Sequence, residues 1–158
     1  MRRRAALAAA ALAAPLALAG CSSSGSASGT AQASPPRLSV SGAYIPLPSL
    51  PDMAAGYLVV RNDGGRAATL TGVTSPQAQS VSMHQSTAST MLDTPTVQIP
   101  AHGTVAFARG GRHLMLMGLS PAPKLGARIE LNLRFDDAAP VTVQATVQPL
   151  TYQPGQSS

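Results

Sequence analysis

Cysteine occurs once, at Cys21, and tryptophan not at all; Tyr and Phe together make five of the 158 residues. One thiol cannot form an intrachain disulfide, a Cys-based zinc finger or an iron–sulfur cluster. Charge is scarce as well, at 11%, with only six carboxylates: Asp52, Asp63, Asp93, Glu130, Asp136 and Asp137. These are scattered, no pair of them forms an evident acid/base couple, and no G-x-S-x-G elbow accompanies them. The expectation is therefore a protein that is not an enzyme. Hydrophobic residues make up 44% of the chain, too many for a disordered charged tail. Gly and Pro, 14 of each, follow no three-residue period, which excludes collagen.

Three of the eleven basic residues stand together at the start. Arg2, Arg3 and Arg4 precede an Ala/Leu-rich run from Ala5 to Ala19. That run is shorter than the roughly 20 residues that span a bilayer, and Pro15 interrupts it. Residues 1–20 thus have the grammar of an export signal. The run ends Leu18-Ala19-Gly20-Cys21, which resembles the lipobox of bacterial lipoproteins and implies lipid on Cys21. Loss of residues 1–20 leaves 138 residues with eight basic and six acidic side chains, a formal +2 in place of +5. The basic pI near 10.4 belongs largely to the signal. No basic stripe remains for a phosphate backbone and few aromatics for stacking bases, so nucleic acid is not an expected partner.

Residues 21–36 read as the lipidated Cys followed by a Ser/Gly/Ala/Pro tether, too small and polar to bury a core. A flexible chain of this kind reaches about 20 Å. From 37 to 150 the hydrophobic period is close to two. Strands are predicted at Leu38–Ser41, Gly56–Val60, Ala67–Val73, Gln79–His84, Thr96–Ile99, Thr104–Ala108, His113–Leu119, Ile129–Phe135 and Val141–Val147. Helix is confined to one turn at most, at Ala54 to Tyr57. Clusters of Gly, Pro and Asp separate the runs, predicting one antiparallel all-β domain, a sandwich or barrel. Ile129, Leu131, Leu133 and Phe135 should face the core, as should Val141, Val143, Ala145 and Val147. Residues 151–158 read as a disordered tail.

Histidine and methionine carry what chemistry there is. The histidines are His84, His102 and His113; the methionines beyond Met1 are Met53, Met83, Met91, Met115 and Met117. In a strand, residues i and i+2 share a face, so His113, Met115 and Met117 point one way and Leu114 and Leu116 the other. An imidazole beside a thioether suits Cu(I) and suits zinc, calcium or magnesium poorly. With Val81 in the core, Met83 also faces inward and His84 outward. His102 lies in a Pro100–Gly103 turn without a Met neighbour and reads as structural. Taken singly, each Met is equally a packing residue and each His a hydrogen-bonded strand residue, so spacing alone leaves both readings open.

The pattern resembles the exported copper chaperones called PCu(A)C, whose signature is His, ten residues, Met, twenty-one residues, His-x-Met. Met91 is followed by twenty-one residues and then His113-Leu114-Met115. His84 precedes Met91 by six intervening residues, four fewer than the signature. The resemblance extends to Ala54–Asn62, to Ile99–Val105 and to the run His113-Leu114-Met115-Leu116-Met117-Gly118-Leu119. It implies a Greek-key β-sandwich, cupredoxin-like or immunoglobulin-like, with His84, Met91, His113 and Met115 as Cu(I) ligands and Met117 as core or reserve. It further implies an extracytoplasmic copper carrier, tethered to the membrane, that serves cytochrome c oxidase assembly. The acceptor would be an oxidase subunit or another copper chaperone.

Two other readings compete. An electron-transfer cupredoxin needs a Cys thiolate, and Cys21 lies outside the domain. A metal-free, membrane-tethered sandwich for adhesion or protein interaction explains lipid, tether and fold, and leaves Met91, His113 and Met115 as packing. Geometry discriminates: a copper site needs the four side chains to converge at one end of the sandwich, partly open to solvent, whereas an interaction module leaves them apart or fully buried.

Overall fold

The computed structural model describes residues 32–155; the predicted export signal, Cys21 and the first part of the predicted tether lie outside them. Ten strands and no helix occur among the described residues. They are β1 (Leu38–Pro46), β2 (Met53–Asn62), β3 (Ala68–Thr74), β4 (Ser80–Ser86) and β5 (Met91–Asp93), then β6 (Val97–Ile99), β7 (Thr104–Phe107), β8 (Arg112–Met117), β9 (Arg128–Phe135) and β10 (Val141–Gln148). Hydrogen bonding links them in the order β5-β4-β8-β2-β1-β10-β9-β3-β6, with β7 also on β2. The sheet curls on itself, so one continuous core fills its inside.

All pairings are antiparallel except β1 with β10, which run parallel through Tyr44↔Thr146 to Pro46↔Gln148. This corrects the expectation of a wholly antiparallel domain. The cause is local. β1 pairs with β2 through Leu38–Ser41, and its register then shifts before Tyr44. Gly42 sits in that shift with φ +59°, a conformation that costs glycine little. Beyond it the strand reaches β10, so β1 is longer than the alternation of Leu38–Ser41 alone indicates.

The inward faces follow the period of two. Ile129, Leu131, Leu133 and Phe135 are buried, as are Ala145 and Val147, while Val141 and Val143 are half-buried. Leu58, Val60, Leu114 and Leu116 complete the other side of the core, each 0–1% exposed. At roughly 1.5–3 kcal/mol for each fully buried aliphatic side chain, these residues decide which face of each strand is inside. Ala54 to Tyr57 is extended in the middle of β2 and forms no helical turn. Gly56 opposes Leu114 there, and a Cβ on Gly56 would lie 3.2 Å from Leu116 Cδ1. The small residue lets β8 close down on β2.

Both ends of the domain extend past their predicted limits. Ser34–Arg37 docks on the β2–β3 turn: Ser34 Oγ accepts from Gly65 N at 2.8 Å, and the Arg37 carbonyl accepts from Asp63 N at 2.8 Å. A Cβ on Gly64 would collide with the Pro35 carbonyl. The last residues assigned to the tether therefore belong to the fold. At the other end, Tyr152 packs edge-on against Tyr44, with ring centroids 5.0 Å apart. Tyr152, within the predicted disordered tail, is thus packed, while Thr151 and residues 153–155 are exposed.

Asn62, fully buried at the end of β2, organises this turn. Its Oδ1 accepts from Arg37 N (3.1 Å) and Gly64 N (2.9 Å), and its Nδ2 donates to the Arg66 carbonyl (2.7 Å). Asn62→Ala strands three backbone groups and should lower unfolding free energy by about 1–3 kcal/mol. Guanidinium denaturation measures this; a loss below about 0.5 kcal/mol would mean that water replaces the amide.

Candidate metal centre

The strands β4, β5 and β8 bring the sequence-predicted residues to one surface. In the β4–β8 register His84 stands directly opposite His113 and Ser82 opposite Met115. In the β4–β5 register Ser86 stands opposite Met91. Ser82, His84 and Ser86 share a face of β4 by alternation, so Met91, His84, His113 and Met115 all lie on that face. Met83 and Leu114 oppose each other on the other face and are buried, 5% and 0% exposed.

The short hairpin after His84 is what returns Met91. β4 ends at Ser86 and β5 begins at Met91, with four residues between. Thr87 N donates to the Thr90 carbonyl at 2.8 Å, and Thr90 N donates to Thr87 Oγ1 at 3.1 Å, closing the loop tightly. The deletion relative to the PCu(A)C signature thus shortens the hairpin without breaking the pairing. β5 itself has no legible hydrophobic pattern: all three of its residues are exposed.

The two imidazoles stack, with centroids 5.7 Å apart and planes inclined by 19°. His113 is buried, 7% exposed, and its Nδ1 lies 3.2 Å from the Gly111 carbonyl oxygen. A carbonyl only accepts, so Nδ1 carries the proton and Nε2 keeps a free lone pair. This is the second-partner arrangement that orients metal-binding histidines. His84 is half-buried, and its Nε2 is 2.8 Å from Ser82 Oγ. The donor in that contact follows the tautomer. Neither Ser82 nor Gly111 stands out in the sequence; Ser82 is legible only as the i−2 neighbour of His84.

Exposure grades outward from His113. Met115 is half-buried and Met91 is 53% exposed. A cavity of about 310 Å³ opens beside Met115, walled also by Met53, Ala55, Tyr57 and Arg109. Tyr57 lies under the Arg109 guanidinium, 6.0 Å from ring centroid to Cζ. Burial raises the Tyr57 phenol above its ordinary value, partly offset by Arg109, so it is neutral at physiological pH. Among the described residues no three His, Cys, Asp or Glu converge as a metal-binding group, so the surface has no hard-ion cage.

Two residues stand elsewhere. His102 is exposed in the β6–β7 turn with φ +52°, and its N–H donates to the Gly64 carbonyl at the far end of β2. Met117, expected as core or reserve, is not in the core: it is 44% exposed and pairs with Met53.

Comparisons with known proteins agree with this fold. Residues 38–147 match the family model described as "Putative lipoprotein LpqE-like". A lipoprotein of Leifsonia xyli subsp. xyli is 36% identical over 101 residues, and the match spans 61% of this chain and 61% of that protein's length. The copper-bound PCuAC domain of PmoF2 superposes with a TM-score of 0.62 at 27% identity, covering 71% of this chain and 92% of that domain. The Cu(I) form of DR1885 from Deinococcus radiodurans gives 0.59 at 30% identity, over 78% of this chain and 85% of its own. With more than two thirds of its residues matched by one family model and its fold shared with PCuAC domains, the chain belongs to the LpqE-like lipoprotein family, a PCuAC-type β domain.

Proposed function

We propose that this protein is a membrane-tethered, extracytoplasmic Cu(I) carrier that holds its ion between His84, Met91, His113 and Met115. The observation that carries the reading is the in-register His84–His113 pair, flanked on the same open face by Met115 and Met91. Two structurally similar proteins, the PCuAC domain of PmoF2 and DR1885, have copper-bound forms, which supports it. The lipoprotein family supports a lipid anchor at Cys21.

The donor set explains why such a site would carry the ion without trapping it. Two imidazoles and two thioethers are neutral and soft, a match to Cu(I) by ligand type. No thiolate stands among them, and the neighbouring carboxylate, Asp93 opposite His84, is exposed and builds no cage with other acidic groups around the ion. The ligands differ in mobility: His113 is buried and held through Gly111, whereas Met91 is exposed at the mouth of a hairpin. Met91 is then the first ligand to yield. An acceptor bearing stronger donors takes its place and strips the remaining ligands in turn. A tether near the membrane raises the effective concentration of donor at membrane-bound acceptors. The acceptor we assign is a copper-receiving component of cytochrome c oxidase assembly, either an oxidase subunit or a further chaperone.

Competition for Cu(I) against a chromogenic chelator tests the reading. The wild-type chain should take one tightly bound ion, and the paired variant H113A/M115L should lose it. Affinity should fall as the pH is lowered, because protons and copper compete for the same imidazole nitrogens. Copper retention by the wild type no better than by H113A/M115L would overturn the carrier and leave a tethered β-sandwich whose methionines pack.

Ser82→Ala gives a second check. The hydroxyl occupies His84 Nε2 in the metal-free chain, so the ion displaces that hydrogen bond. Its removal should tighten binding by up to about 10-fold, the equivalent of one ordinary hydrogen bond. Weaker binding would show instead that Ser82 aligns the ring for coordination.

A further inference from the structure

Four of the five methionines beyond the signal lie on one face of the β5-β4-β8-β2 surface, and the carrier site uses two of them. Met53 stands directly opposite Met117 in the β2–β8 register, and Ala55 opposite Met115. Alternation puts Met53 and Ala55 on one face of β2, and His113, Met115 and Met117 on the same face of β8. The burial pattern agrees: Met53, Ala55 and Met115 are half-buried and Met117 exposed, while Ala54, Gly56, Leu114 and Leu116 between them are buried.

The spacing allows one ion to be shared. Directly opposed residues have Cβ atoms about 4.5–5.5 Å apart, and diagonal ones such as Met115 and Met53 about 7–8 Å, within the reach of long side chains. Met53 and Met115 wall the same cavity. The residues around the thioethers are small: Ala55 opposes Met115, and Ser80 opposes Met117 on its other side. On this face none of the four strands carries Leu or Ile, although Leu fills their inward positions at Leu58, Leu114 and Leu116. A purely apolar surface has no reason to choose thioethers over Leu so consistently. A soft-ion surface does, because only sulfur donates to the metal.

We propose that Met53 and Met117, together with Met115, form a second Cu(I) station made of thioethers alone. It rests on the carrier reading above, since Met115 belongs to both sites and links them. The ion moves by ligand exchange: Met115 keeps hold while the imidazoles release and Met117 and Met53 bind. No bond to carbon, oxidation or proton loss is involved. Without imidazole the second station is the weaker of the two, so it fills after the first and presents the ion at the Met53–Met117 end of the β2–β8 pair.

Titration of the mature chain with Cu(I) under reducing conditions, followed by NMR of 13C-methyl-labelled methionine, reads both sites separately. The first equivalent should shift the Met91 and Met115 methyls, and the second those of Met53 and Met117. The variant M53L/M117L should lose the second equivalent and hold the first within about 3-fold of the wild type. If Met53 and Met117 stay unshifted through two equivalents while Met91 and Met115 move, the second station is overturned and the carrier site stands. If no methionine methyl moves, both fall. Movement of Met53, Met115 and Met117 without Met91 would support the station and overturn the His/Met site.

Discussion

The register of β4 against β8 is the constraint on which the candidate site depends. Side chains in a strand alternate, so a slip of one residue would send His113 and Met115 into the core and Leu114 and Leu116 into solvent. Leu114 and Leu116 are completely buried, and Met83 packs opposite Leu114. Their burial, at roughly 1.5–3 kcal/mol each, fixes the register. The polar face gains its arrangement from the apolar one: the same register that hides the leucines sets His84 against His113. Gly56 contributes from β2, because its missing side chain leaves room for Leu116.

The second theme is neutrality. The described surface around the two imidazoles is built mostly from thioethers, hydroxyls and small residues, with the exposed Asp93 opposite His84, and the sole ion pair among the described residues, Arg61–Asp63, lies on the other half of β2. A cation held there would rely more on covalent softness and geometry than on compensating charge. Such a site favours Cu(I) over hard divalent ions and releases it by ligand exchange. The gradient from buried His113 to exposed Met91 gives that exchange a direction. Met53 and Met117, at the neighbouring end of the β2–β8 pair, would extend the same chemistry across the sheet.

Much of this was legible in the sequence because two-residue periodicity survives folding when one face is buried. The alternation of Ile129–Phe135 and Val141–Val147 identified both strands to within a residue or so at either end. The inward turn of Leu114 and Leu116 followed from the same rule, as did the burial of Met83. Three features were not legible. β5 is only three exposed residues long, and its pairing comes from the Thr87–Thr90 turn and not from any hydrophobic pattern. The parallel β1–β10 pair arises from a shift at Gly42 that leaves no periodic trace. The pairing of Met53 with Met117 depends on which strand lies beside β8, a tertiary fact that spacing along the chain does not encode.

X-ray absorption spectroscopy of the chain loaded with one equivalent of Cu(I) addresses the central claim directly, because it counts the atoms around the ion. The proposed site predicts a mixed shell of two imidazole nitrogens and two thioether sulfurs, from the His84–His113 pair with Met91 and Met115. A shell of nitrogen and oxygen alone, without sulfur, would contradict it and place the ion elsewhere on the protein.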